Sequence, residues 1–346
     1  MTYYCLIFTF FITFVSSSPC FAGLTEELDK TVNDISRSTG IKTENMSITF
    51  YDINRKQTVY SKNSDRLFKV ASVSKLFVTG AAVNYLTQGY RFKTTVFGSA
   101  PDKDGAVNSP VYVKGGGDPL FVSESMWLLV NYLVGKGVKK IKTDIYLDNS
   151  FFPDEEIYDD PDDRAYSARI SSLSVNFNSI AVHVSAGAGK APYAYIDPQV
   201  PFIHLNNKLT AHSGGTNVIL SKSGNNITLS GNVYNKDYKT KINYRNIDDP
   251  SSYFGETLKI HLQARGIAFE GKIKKGVTPS NMPVLAEVES RRLGDILSDM
   301  NRFSNNFIAE HVLRAIGAEV YGVPATEDKG LKAIKSYLID IFLLQP

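Results

Sequence analysis

Ser72 and Lys75, three residues apart in Ser72-Val73-Ser74-Lys75, form the chain's leading candidate for covalent chemistry. On a helix such positions share a face, so a hydroxyl and an amine can meet. A serine hydroxyl is a weak nucleophile until a base takes its proton. A lysine serves as that base only when neutral, so burial or nearby positive charge must lower its pKa. A helix N-terminus at Ser72 adds a dipole that favours developing negative charge. The competing role is structural, with Ser72 as a helix cap and Lys75 as a solvated side chain. The Ser-x-x-Lys pattern occurs once in the chain.

A lysine base works with partners, and a Ser-x-Asn element is the usual one. Ser61, Ser174, Ser223 and Ser304 each open such a pattern. Ser61-Lys62-Asn63 and Ser223-Gly224-Asn225 read as turns. Ser174-Val175-Asn176 lies in a polar–apolar alternation ahead of a strand. Ser304-Asn305-Asn306 directly precedes the helical run from Phe307 to Leu313. There Ser304 can point into a cleft from a helix start, and Asn306 can orient a substrate amide. The competing role of Ser304 is again a helix cap. A Lys-Thr/Ser-Gly element on an edge strand would complete the set. Its only match, Lys222-Ser223-Gly224, reads as a β-hairpin tip and is set aside as a decoy.

Other candidates are bland. Gly115-Gly116-Gly117-Asp118-Pro119 lacks a correctly spaced helix for phosphate binding and reads as a turn. The five histidines, His183, His204, His212, His261 and His311, show no metal-ligand spacing. The acidic run from Asp154 to Asp163 lacks the glycine turn and terminal glutamate of a calcium loop and reads as solvated surface.

These residues need elements to carry them. Leu24, Leu28, Val32 and Ile35 make an apolar stripe on a helix over residues 24–36. Residues 46–53 and 57–61 read as strands joined by a turn at Asn54-Arg55-Lys56. A helix is expected from Ser72 to about Leu86, with Val73, Phe77 and Ala81 on one face. From residue 97 to 285 short strands dominate, such as 111–113, 145–147, 180–184, 217–220 and 227–229. Helical texture returns at 253–265 and dominates from Leu293. The expected organisation is one α/β domain in two sequence pieces, 23–96 and 286–346, flanking a β-rich insertion over 97–285.

The chain has 346 residues, 38 Lys+Arg against 35 Asp+Glu, and 43% hydrophobic residues, the balance of a globular protein. A formal net charge of +3 argues against a nucleic-acid partner, which normally meets a basic face. Residues 1–22 carry no charged residue and an apolar run followed by small residues, and they read as a secretory signal peptide cleaved after Ala22. The run is shorter than the roughly 20 residues a membrane span needs, so membrane contact is expected to be peripheral at most. Both cysteines, Cys5 and Cys20, lie in this segment, which leaves the expected mature chain without thiol chemistry.

Several ordered stretches resemble one family. They are Ala71-Ser72-Val73-Ser74-Lys75-Leu76, Gly89-Tyr90-Arg91-Phe92-Lys93-Thr94, Val113 to Leu120, Tyr166 to Asn178, and Met300-Asn301-Arg302-Phe303-Ser304-Asn305-Asn306-Phe307-Ile308-Ala309-Glu310. Together they resemble the low-molecular-mass class C penicillin-binding proteins, D-alanyl-D-alanine carboxypeptidases/endopeptidases, over about residues 25 to 340. The resemblance implies an α/β (α+β) fold: a penicillin-binding/β-lactamase-like transpeptidase domain with inserted β-rich domains. It makes Ser174 structural and Ser304 the catalytic Ser-x-Asn serine. It implies that Ser72 attacks the penultimate D-alanine carbonyl, Lys75 takes its proton, Ser304 passes a proton to the leaving amine, and Asn306 holds the peptide. Peptidoglycan stem peptides and β-lactams are the implied partners, the periplasm the implied location, and no metal or organic cofactor is implied.

In that family a Lys-Thr-Gly strand lies much further downstream of the Ser-x-Asn motif. Here 40 residues follow Asn306 and none contains it, so the transpeptidase domain is expected to be incomplete at its C-terminus. The alternative expectation is a truncated, catalytically inactive relative or fragment that binds peptidoglycan or acts as a scaffold. A third is a serine hydrolase of the same fold acting as an esterase or β-lactamase, which the long insertion disfavours.

Overall fold

The computed structural model describes residues 21–155, 165–187, 190–236 and 241–342. Residues 1–20 of the expected leader with Cys5 and Cys20, the acidic run over 156–163, and the final residues 343–346 lie outside the described residues. The chain forms two compact units, residues 1–71 and 72–346.

In the first unit, α1 (Phe21–Thr39) accompanies an antiparallel hairpin of Ile48–Asp52 and Gln57–Lys62. Of the expected stripe, Val32 is buried, Leu24 and Leu28 are half-buried and Ile35 is exposed. Asp52 accepts the Asn54 and Arg55 amides at 2.9 Å each and so shapes the turn. Asp29 of α1 accepts from the Tyr60 hydroxyl at 2.8 Å and from Lys62 Nζ at 3.0 Å, which ties helix to hairpin.

The second unit begins at Ser72, inside a 3-10 turn (Ala71–Ser74) that leads into α2 (Lys75–Tyr85). The expected face of α2 is corrected here. Val73 and Phe77 are exposed, and of that set only Ala81 is buried. The buried side runs through Lys75, Ala82 and Leu86 instead, because α2 packs there on helices from the end of the chain.

A mixed five-stranded sheet follows, in the order Ile273–Lys275, Ile145–Asp148, Val111–Gly115, Lys93–Phe97, Val284–Glu289. The expected junctions at 96/97 and 285/286 fall inside two strands of this sheet that pair antiparallel with each other. Helix α3 (Ser123–Gly135) packs against the Val284–Glu289 strand and against α4 (Pro250–Ala264). Helix α3 was not expected within the β-rich stretch. Its buried Met126, Leu129, Val130 and Leu133 nevertheless recur at helical spacing. Asp249 caps α4 by accepting from the Ser252 amide, and Pro250 occupies its first turn. The β-rich texture is otherwise present. Lys241–Asn246, Ser179–Gly187 and Lys190–Asp197 form one sheet, and four strands between His204 and Tyr234 form another.

The glycine run is a packing device. A Cβ on Gly115 would lie 2.0 Å from the Ser172 carbonyl oxygen, and one on Gly116 would lie 2.5 Å from that of Lys93. Gly117 has φ +78, which favours glycine. The turn expected there is thus a place where backbones meet closely.

The chain closes with α5 (Leu293–Phe303), α6 (Asn306–Tyr321) and α7 (Glu327–Phe342). Helix α6 is central. Its Ile308, Val312, Ala315 and Ile316 join a core with Ala81 and Ala82 of α2, Leu293 and Met300 of α5 and Ala333 of α7. On another side, its Phe307 packs with Phe152, Ala168 and Ile170. Close approach to α7 uses glycine on both helices. A Cβ on Gly317 would lie 2.5 Å from the Gly330 nitrogen, and one on Gly330 would lie 2.3 Å from the Leu313 carbonyl oxygen.

Candidate active site

The short 3-10 turn brings the first pair together, because side chains at i and i+3 eclipse in that geometry. Lys75 Nζ donates to Ser72 Oγ at 3.2 Å. The second contribution comes from the junction of α5 and α6. Ser304 caps the end of α5 in the left-handed region, φ 54 and ψ 37. Asn305, not Ser304, caps α6 by accepting from the Ile308 amide at 3.0 Å. The cap role weighed for Ser304 therefore belongs to its neighbour, and its hydroxyl is turned to Ser72 Oγ, to which it donates. Asn306 in the first turn of α6 accepts from Lys75 Nζ through Oδ1 at 2.6 Å. The structure thus gathers all four predicted residues, Ser72, Lys75, Ser304 and Asn306, with Lys75 and Asn306 meeting across 231 sequence positions.

Ser72 and Ser304 are exposed, whereas Lys75 is only 7% exposed. Burial holds the Lys75 ammonium below the ordinary lysine range, and the Glu310 carboxylate partly opposes that shift. The arrangement places a desolvated amine against an accessible hydroxyl, with a second hydroxyl and an amide alongside. Its chemical capacity is activation of Ser72 as a nucleophile. Thr79 and Asn301 support the join of α2 and α5, with Asn301 Nδ2 donating to Thr79 Oγ1 at 3.0 Å.

Ser61, Ser223 and Ser174 go elsewhere. Ser61 lies in the Gln57–Lys62 strand of the first unit. Ser223 faces Asn226 across a hairpin tip, and Lys222 is paired with Asp248. Ser174 is buried, donates to the Ser171 carbonyl at 2.6 Å and lies 3.2 Å from His311 Nε2. Two residues were missed by sequence reasoning. Glu310 lies four positions beyond Asn306, a spacing that puts both on one helix face. His311, fully buried, links α6 to the Ser171–Ser174 stretch through contacts far apart in sequence. Among the described residues no group of three or more His, Cys, Asp and Glu is arranged to hold a metal ion. A cavity of about 420 Å³ between α2 and α5, lined by Thr79, Gln88, Arg292, Asp295 and Asn301, does not include Ser72 or Lys75.

Over residues 24–343 the chain matches the D-Ala-D-Ala carboxypeptidase 3 (S13) family, and it belongs to that family. This groups it with the low-molecular-mass class C penicillin-binding proteins, as the resemblance implied. It is 27% identical over 350 residues to a D-alanyl-D-alanine carboxypeptidase of Actinomadura sp. (strain R39), covering 94% of this chain and 64% of that protein. It is 24% identical over 325 residues to the D-alanyl-D-alanine carboxypeptidase DacB of Haemophilus influenzae, covering 85% of this chain and 63% of that protein. The crystal structure of penicillin binding protein 4 (dacB) from Haemophilus influenzae superposes with a TM-score of 0.72 at 22% identity, covering 89% of this chain and 70% of that one. The α/β penicillin-binding fold with extra sheets is therefore the fold of this chain. The chain spans about 64% of the length of the first of these curated relatives.

Proposed function

We propose that the chain is a serine D,D-peptidase that acts on D-Ala-D-Ala peptides of peptidoglycan through an acyl-enzyme on Ser72. One observation carries this reading: Lys75 Nζ lies 3.2 Å from Ser72 Oγ and 2.6 Å from Asn306 Oδ1, with Ser304 Oγ on the same hydroxyl. When Lys75 is neutral, it keeps one N–H on Asn306 and turns its lone pair to Ser72. Ser72 Oγ then attacks the carbonyl carbon of the penultimate D-alanine, and its proton passes to Lys75. Collapse of the tetrahedral adduct breaks the peptide C–N bond. The Ser304 hydroxyl delivers a proton to the leaving amine and is reprotonated from Lys75. Water then hydrolyses the ester on Ser72. Asn306 orients the peptide amide and holds Lys75. Carboxypeptidase and endopeptidase action differ here only in which amine leaves. β-Lactams would present the same carbonyl in a ring whose leaving group stays attached, so they acylate Ser72. A peptidoglycan substrate implies a periplasmic location, and the leader read at residues 1–22 supports that reading.

Labelled penicillin tests the proposal on the full chain. A covalent adduct is expected on the wild-type protein. It should be abolished in Ser72→Ala and reduced nearly as far in Lys75→Ala. An adduct that persists in Ser72→Ala overturns the nucleophile assignment. Absence of any adduct on folded protein favours the non-catalytic, peptidoglycan-binding reading instead.

A further inference from the structure

We propose that Glu310 sets the proton affinity of Lys75 from the adjacent turn of α6, and that Arg314 holds Glu310 for that task. The inference rests on the reading of Lys75 as the base and adds how that base is regulated. Asn306 and Glu310 are four residues apart on α6, so they share one face of that helix, and α6 is in contact with α2. Asn306 already reaches Lys75 Nζ. The next turn down, half-buried Glu310 has its Oε2 held by Arg314 Nη1 at 2.6 Å. Arg314 is itself buried, and it also binds Glu155 Oε2 at 2.7 Å and Glu327 Oε2 of α7 at 3.8 Å. One guanidinium therefore clamps carboxylates from three stretches of chain.

Such a clamp has a purpose near a buried amine. A free carboxylate beside Lys75 would stabilise the ammonium and remove the base. An uncharged neighbour would leave burial unopposed. Burial lowers the proton affinity of Lys75, and Glu310 raises it by a smaller amount. At Glu310 burial favours the neutral acid, Arg314 favours the carboxylate, and Glu327 and Glu155 disfavour it. On balance the proton affinity of Glu310 is raised, and Arg314, 2.6 Å from Oε2, is the group that favours its carboxylate. Glu310 is a positioning residue: its recorded partner is Arg314, and it acts on Ser72 only through Lys75.

Titration of the Lys75 amine by NMR, with lysine labelled at ¹³Cε, tests this on the full chain. The resonance is assigned by its loss in Lys75→Arg. In Glu310→Gln the midpoint is expected to move to lower pH, and in Glu310→Asp, which keeps the charge, to stay close to wild type. A midpoint that is unmoved or raised in Glu310→Gln overturns the proposal. Thermal melting checks that the variant folds. Should it not fold, Glu155→Gln removes a charge from the same clamp, and its midpoint should shift downward by less. Labelled penicillin separates the two layers of argument. No adduct on wild type sinks the peptidase reading, whereas an adduct with an unmoved Lys75 titration sinks the role of Glu310.

Discussion

Ser304 is held where most side chains are disfavoured. A non-glycine residue in the left-handed region costs roughly 1–3 kcal/mol, and such strain concentrates at working sites. The only contact that the Ser304 side chain makes in the described structure and that bears on chemistry is with Ser72. Replacement by glycine should relieve the backbone and remove the hydroxyl. Ser304→Gly is therefore expected to melt at the same temperature as wild type or higher, by up to about 1 kcal/mol of stability, and to turn over D-Ala-D-Ala peptide more slowly. A large loss of stability would show that the hydroxyl holds the fold rather than serving the chemistry. The same contrast explains what was legible. Ser72 and Lys75 are local, so their spacing predicts their meeting. Ser304 and Asn306 reach them across more than two hundred positions, and local pattern alone left Ser174 and Ser304 both open until the family resemblance chose between them. Glu310 carried a readable signal, its four-residue step from Asn306. His311 carried none, because its partners, Ser171 and Ser174, lie 140 and 137 positions away.

Helices meet at the site because they can approach closely. Glycine in a helix interior costs about 1 kcal/mol against alanine, so Gly317 and Gly330 need a reason. Each faces backbone of the opposite helix at a distance that excludes a methyl group. Gly317→Ala should force α7 away from α6 and cost about 1–3 kcal/mol, read as a lowered melting temperature. An unchanged melt would mean that the crossing relaxes freely. Hairpins and helices with a strong local pattern were legible: the 48–62 hairpin, the Ser223 tip, α4 and α6 all stand where periodicity put them. The face of α2 was misread because its apolar residues ring the helix, and only packing on α6 and α7 decides which side is inside. Helix α3 was passed over although its period was present, since the strands around it set the texture of the whole stretch.

The pH response belongs to the whole second unit. Burial pushes His311 down to about 4, so the folded protein keeps it neutral, donating from Nδ1 to the Phe307 carbonyl at 2.8 Å. Unfolded, it binds a proton near its ordinary value of 6.5. Between those values the unfolded chain holds more protons, so this contribution is full above pH 6.5 and is lost as pH falls toward 4, on the order of 3 kcal/mol. Asp118 works in the opposite direction. Burial in the glycine-rich turn pushes it up to about 7, so it folds protonated, and its contribution is lost as pH rises from the ordinary carboxylate range toward 7. The two slopes oppose each other between pH 4 and 6.5. Asp118→Asn keeps an acceptor for the Leu120 amide and removes one slope. Its stability should climb with pH across that range more steeply than wild type, as denaturant melts would read, and a parallel pair of curves would contradict the burial of Asp118. One further consequence lies in how α6 is enclosed. It is the keystone between two apolar clusters, and loosening it strips support from both at once. These two clusters are therefore expected to dissolve together, and losing the keystone also takes away the serine's neighbours Ser304 and Asn306.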